Sequence, residues 1–148
     1  MGVIVVGVDH SEGAKAALRF ALAEATLRRT TLRAVHGWQF GYIGAPGMEG
    51  AYPVIGADLS EVHNAAEAAL EATIAEVVSD AGNVEIECRV VEGAPGAVLV
   101  EESRDAELLV VGSRGHGGFA GLLLGSVSQQ CAHHATCPVV IIPRERER

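Results

Sequence analysis

From one end of the chain to the other, short β-branched apolar runs alternate with stretches whose apolar residues recur every three or four positions. That alternation leaves few architectures open. Each strand–helix–strand passage crosses over right-handedly, so the strands come out parallel and need helices on both faces. Val3 to Val8 reads as strand one and Glu12 to Arg29 as the first helix, with Leu18, Leu22 and Ala25 on its apolar side and Arg28-Arg29 at its basic end. Thr31 to Trp38 reads as strand two. Asp58 to Ala81 is the clearest helix: Val62, Ala66, Leu70, Ile74 and Val78 step by four, and Gly82 is the expected stop. Val84 to Val91 alternates as strand three, and Pro95 opens a helix to about Ser103. Glu107 to Val111 is strand four, Ser126 to Ala135 helix four, and Val139 to Ile142 strand five, ended by Pro143. The expected fold is α/β: a five-stranded parallel sheet in the order 3-2-1-4-5, Rossmann-like, with helices on both faces. Residues 1–143 read as one domain and 144–148 as a charged tail.

In such sheets ligands sit beyond the carboxyl ends of the strands, where strand order reverses. In this order the crevice falls between Asp9, after strand one, and the stretch after strand four. That stretch runs from Leu108 to Ser128 and carries Gly112, Gly115, Gly117, Gly118, Gly121 and Gly125. A strand, a glycine-rich loop and a helix start make an anion cradle, because unpaired backbone N–H groups and the positive end of the helix dipole converge there. Ser126 is the expected N-cap of helix four, and Ser11 that of the first helix. The loop is not a Walker A loop, since no Gly-Lys-Ser/Thr occurs. Gly115-x-Gly117-x-x-Ala120 imitates a dinucleotide fingerprint, but the helix starts several residues too late and strand five ends without an acidic residue placed for a ribose.

Charge narrows the ligand. A net charge of −8 argues against nonspecific nucleic-acid or anionic-membrane binding, and Lys15 is the only lysine. Positive potential for an anion must come from backbone amides, a helix end, Arg114 or a metal ion. Arg114 either pairs with phosphate oxygens or is solvated. No apolar stretch approaches the roughly 18 residues of a membrane span, and the start reads as a strand and not as a signal peptide. Cys88, Cys131 and Cys137 form no CxxC and read as reduced and mostly packed, which points to the cytoplasm; a Cys131–Cys137 bridge stays open.

Other side chains read as structural. His63 falls on a solvated helix face, His36 packs after strand two, and Cys88 packs in strand three. His116 is a bystander in the glycine loop, and adjacent His133-His134 suit a helix end without sharing a metal. Gly37 to Ala57 has no periodicity and reads as a long loop, whose Trp38, Phe40, Tyr42 and Tyr52 form either a minicore, the reading preferred, or a cover for a base. Val139, Val140, Ile141 and Ile142 form an apolar edge strand, which a second copy pairing antiparallel would cover.

Gly112-x2-Gly115-x9-Gly125-Ser126 resembles the nucleotide-binding signature of the universal stress protein family, in its ATP-binding subgroup. Asp9-His10-Ser11, Val35-His36-Gly37 and Cys137-Pro138-Val139-Val140-Ile141-Ile142 stand in register with it. The resemblance covers essentially the whole chain and implies a homodimer that binds ATP, often with a divalent ion such as Mg²⁺ or Mn²⁺, in stress response. By position it puts Gly7 and Asp9 on the nucleotide side, with Asp9 on the ribose and adenine or near the metal. The Gly37 backbone would line the adenine, and Val111 and Gly112 would flank the ribose. Gly115, Gly125, Ser126, Val127 and Ser128 would wrap the phosphates. One departure stands out: the position after Asp9 is commonly glycine in relatives and is His10 here, and a side chain restricts that turn.

The expected role is a regulatory adenine-nucleotide binder whose occupancy orders the glycine-rich loop. The alternatives are a cAMP- or AMP-binding member, a weak ATPase or an enzyme that phosphorylates its own Ser113, Ser126 or Ser128, and a ligand-free dimeric scaffold. The loop has no lysine and no evident base, so robust turnover is not expected.

Overall fold

The computed structural model describes residues 2–40, 51–52, 59–79, 81–113 and 124–143. The elements follow in the order β1 (Val3–Gly7), α1 (Glu12–Arg28), β2 (Thr31–Phe40), β3 (Ala51–Tyr52), α2 (Leu59–Val77), β4 (Ile86–Glu92), α3 (Pro95–Glu102), β5 (Leu108–Gly112), α4 (Ser126–His134) and β6 (Val139–Ile142). Five strands form a parallel sheet in the order β4-β2-β1-β5-β6. This is the 3-2-1-4-5 arrangement expected from the alternation, with the short β3 added. β3 pairs with Gln39 and Phe40, past the point where β4's pairing with β2 ends at Trp38.

The pleat sorts the core into two layers. Ile4, Val6 and Val8 face α1 and α2 with Leu18, Leu32, Leu70 and Val110. Val5 faces α3 and α4 with Val35, Leu99, Leu109 and Cys131. β1 and β5 are buried on both faces, which is why each reads as a continuous apolar run. α1 packs small residues (Ala14, Ala17, Ala21, Ala25) around Leu18, so its buried side is broader than its large apolar residues indicate.

Several boundaries differ from expectation, each for a physical reason. β2 continues to Phe40, because β4 and β3 supply partners through that length; Trp38 is therefore a buried strand residue, 3% exposed, and not part of a loop minicore. α2 ends at Val77 and not at Ala81, and Gly82 (φ +58) sits in the following turn, where Val84 N–H bonds the Ala81 carbonyl. α1 ends one residue early. Arg29 takes the left-handed cap conformation (φ +56), and its N–H bonds the Ala25 and Thr26 carbonyls. Cys88 is exposed, because β4 is an edge strand that the helix layer covers incompletely. Cys131 and Cys137 are free thiols. Tyr42, Arg114, Gly115, His116 and the tail 144–148 lie outside the described residues, as does the side chain of Tyr52.

Candidate functional site

The site expected from the sequence falls where β1, β2 and β5 end. Its first wall is the β1–α1 turn. Asp9 Oδ1 accepts from Ser11 N–H at 3.0 Å and from the Ser11 hydroxyl, whose own oxygen accepts from Ala14 N–H at 3.1 Å. Ser11 is thus the N-cap of α1, as its place in the sequence predicts. Asp9 braces that cap, so its carboxylate is held at the mouth of the crevice and is not free to swing. His10, between them, has φ +69, the left-handed conformation usually left to glycine. The expected restriction of this turn is therefore real, and the chain meets it by placing a histidine in glycine's conformation.

The second wall is the joint between β5 and α4. Ser113 N–H bonds the Ile142 carbonyl at 2.8 Å, extending the β5–β6 ladder by one step. The Ser113 carbonyl then accepts from Gly125 N–H at 2.7 Å and from the buried Ser128 hydroxyl at 2.9 Å. These two bonds clamp the exit and the return of the glycine-rich stretch together. The N-cap of α4 is Gly125 and not Ser126; it is extended (φ −76, ψ 173) and offers no side-chain cap. Ser126 is the first helical residue, with an exposed side chain. Ser128, expected to reach phosphate through its hydroxyl, directs that hydroxyl to the Ser113 and Gly125 carbonyls, and its N–H is what remains for a ligand.

The helix ends contrast. α1 is capped by Ser11, and α3 starts with Pro95, which has no N–H to satisfy. At α4 the N–H groups of Ser126, Val127 and Ser128 find no acceptor among the described residues. Among the described residues these three amides have no partner, and the positive end of the helix dipole lies with them.

The glycines near the crevice bring its walls close. A Cβ on Gly112 would lie 3.0 Å from the Gly13 backbone, so the first turn of α1, with Asp9 just before it, rests directly on the end of β5. A Cβ on Gly37 would lie 2.9 Å from Pro95 Cα, so this glycine seats the start of α3. Gly7 lies beneath Leu99 of α3, a packing position, and Val111 is 3% exposed in the core.

His36 is buried and gives its Nδ1 hydrogen to the Val8 carbonyl at 2.7 Å, packing as expected. Lys15 is held by Glu76 at 3.0 Å and Glu12 at 3.2 Å, and these bonds raise its pKa, that to Glu76 most. Among the described residues no three His, Cys, Asp or Glu side chains gather as a metal site. His63 is half-exposed beside Glu67. Sequence reasoning missed the Ser113 carbonyl, Thr73 and Gly13, which no motif marks.

A doubly wound α/β domain with the Asp9 turn and a helix start lacking a side-chain cap at its switch point is the class that this geometry defines. A model of the universal stress protein family matches residues 1–143, and the chain belongs to that family. It is 36% identical over 139 residues to a universal stress protein of Mycolicibacterium smegmatis, covering 94% of this chain and 45% of that protein. The chain thus spans about half the length of the curated relatives it matches. A universal stress protein solved in complex with cAMP is 29% identical, with a TM-score of 0.65 and 96% of both chains covered. UspA of Lactobacillus plantarum shares the fold at 24% identity, with a TM-score of 0.74 over 95% of this chain and 97% of that one. No helix among the described residues is long and apolar enough to cross a membrane.

Proposed function

We propose that residues 1–143 act as one domain that binds an adenine nucleotide, ATP foremost, and that occupancy rather than turnover is its output. The observation that supports this reading most is the start of α4: three amides without acceptors among the described residues, on a glycine cap. An anion there would gain hydrogen bonds and the helix dipole without any lysine. The phosphates would lie on Gly125, Ser126, Val127 and Ser128, with Gly115 and Arg114 from the segment outside the described residues. Asp9 and Gly112 would flank the ribose and Gly37 the base. Occupancy orders the glycine-rich loop. With no three-ligand cluster among the described residues, the site suits a Mg²⁺ or Mn²⁺ carried in by the nucleotide, which Asp9 would approach, better than a resident ion. When bound, that ion would supply charge neutralisation for the phosphates.

The relative solved with cAMP supports a second reading, a cyclic or monophosphate ligand. Calorimetric titration with ATP and with cAMP, each with and without Mg²⁺, separates the two. Saturable ATP binding is expected. Gly125→Val, whose extended backbone valine tolerates, should weaken it at least about tenfold, or ~1.4 kcal/mol, and Asp9→Ala should weaken it too. Tighter cAMP binding would favour the second reading, and no binding of either at millimolar concentration would reject both. Phosphate release above a trace, lost in Gly125→Val, would reject the non-enzymatic reading.

The assembly proposed is a homodimer through β6. The two edges of the sheet differ: β4 carries Glu87 and Arg89, whereas β6 is Val139, Val140, Ile141 and Ile142, each only partly buried. A charged edge discourages strand addition and an apolar one invites it. Three free thiols fit a cytoplasmic setting.

A further inference from the structure

We propose that His10 is a positioning residue that ties the Asp9 turn to α2, so that occupancy of the crevice is felt along that helix. The inference rests on the nucleotide reading above. It starts from proton bookkeeping. The Thr73 hydroxyl has one hydrogen and gives it to the Ala69 carbonyl one turn back, at 3.0 Å. Its contact with His10 Nδ1, at 2.7 Å, is therefore one in which Nδ1–H donates. His36 also donates from Nδ1, because the Val8 carbonyl can only accept. The two rings lie 5.0 Å apart between centroids, tilted by 41°. A continuous path thus runs from Thr73 on α2, through His10 and His36, to the backbone at the end of β1.

The left-handed backbone of His10 gives this path its meaning. A β-carbon in that conformation is strained, and strain persists only where the surroundings over-determine it. Thr73 and His36 hold the ring, and the ring holds the turn whose preceding residue is Asp9. A glycine would take the same turn without strain and without any link to α2. The ion pair from Lys15 on α1 to Glu76 on α2 is at the surface, with Glu76 63% exposed, and holds the turn less firmly. Because Ser11 braces Asp9, a ligand that pulls on Asp9 shifts the turn as a unit, and with it His10 and, through a 2.7 Å bond, Thr73.

Hydrogen exchange by mass spectrometry on the full chain, with and without saturating ATP and Mg²⁺, tests this. In the wild type, ATP should slow exchange in the middle of α2 (residues 66–77) by about threefold or more, although none of these residues belongs to the proposed site. Thr73→Val keeps the shape and removes the acceptor, so it should bind ATP yet lose that protection. Thr73→Ser should keep it, and His10→Gly should lose it. A merely structural tie would lower thermal stability in Thr73→Val while the ligand-dependent difference stayed intact, and that result would overturn the proposal. Saturable binding with no protection of α2 in the wild type would overturn it too. Absence of binding heat in the wild type overturns the nucleotide reading instead, and this inference falls with it.

Discussion

Ser128 and Cys131, one turn apart on α4, show how burial decides a residue's role. Ser128 has the right identity for a phosphate ligand, but at 2% exposure its hydroxyl is committed to the Ser113 carbonyl, and it acts as a staple. Cys131 is fully buried, and desolvation, with a smaller effect from the neighbouring Cys137, pushes its pKa up to about 11. In the unfolded chain the same thiol ionises at its ordinary value of 9.0. The folded state therefore holds the proton over a window in which the unfolded state releases it. The stability this represents is whole below pH 9 and is lost as pH rises toward 11. Thermal melts of wild type and Cys131→Ala at pH 8 and pH 10.5 check this: the alkaline fall in Tm should be smaller in the variant. An equal fall in both would show that Cys131 is not its source.

At the scale of elements, the proposed phosphate site would have α4 trade stability for binding. Its seat is made by Cys131 in the layer beneath the sheet, while its first turn lacks a protein cap. Gly125→Asp would supply one. The carboxylate would accept from the amides of the first turn, worth a few tenths of a kcal/mol over glycine, and would occupy the proposed phosphate position. The expected outcome is a Tm equal to or slightly above that of the wild type together with loss of ATP binding by calorimetry. A variant that kept full affinity would show that the phosphates do not use this helix end. At α1 the Ser11 hydroxyl takes one of these amides, and at α3 Pro95 removes one donor, so α4 is the helix whose start has neither device.

For the whole molecule the question is what covers β6. The Pro138 carbonyl accepts from Leu109 N–H at 2.9 Å and the Ile142 carbonyl from Ser113 N–H at 2.8 Å. In a parallel ladder the backbone groups of alternate residues point to opposite sides, so 138, 140 and 142 face β5, whereas 139 and 141 face outward. Ile141→Pro would then remove an outward N–H and leave the internal ladder intact. Sedimentation of this variant at micromolar concentration should give a monomer with unchanged far-UV circular dichroism, against a dimer for the wild type. A dimer in both would place the interface elsewhere.

The order of the strands, the two helical layers and the nearness of the Asp9 turn to the end of β5 were legible in the chain, because periodicity and turn residues are local and the crossover rule turns them into topology. Ser11 as a cap and Pro95 as a helix start were legible for the same reason. Other features were decided only when distant segments met. Thr73 reaches His10 across 63 positions of sequence. Ser128 closes on Ser113, which leaves Gly125 as the cap, and Cys88 is exposed because its strand is the sheet's edge. Local pattern fixes which face of an element is apolar; which group each polar atom meets depends on the helices' approach to the sheet, set by volume and by close passages such as Gly13 on Gly112.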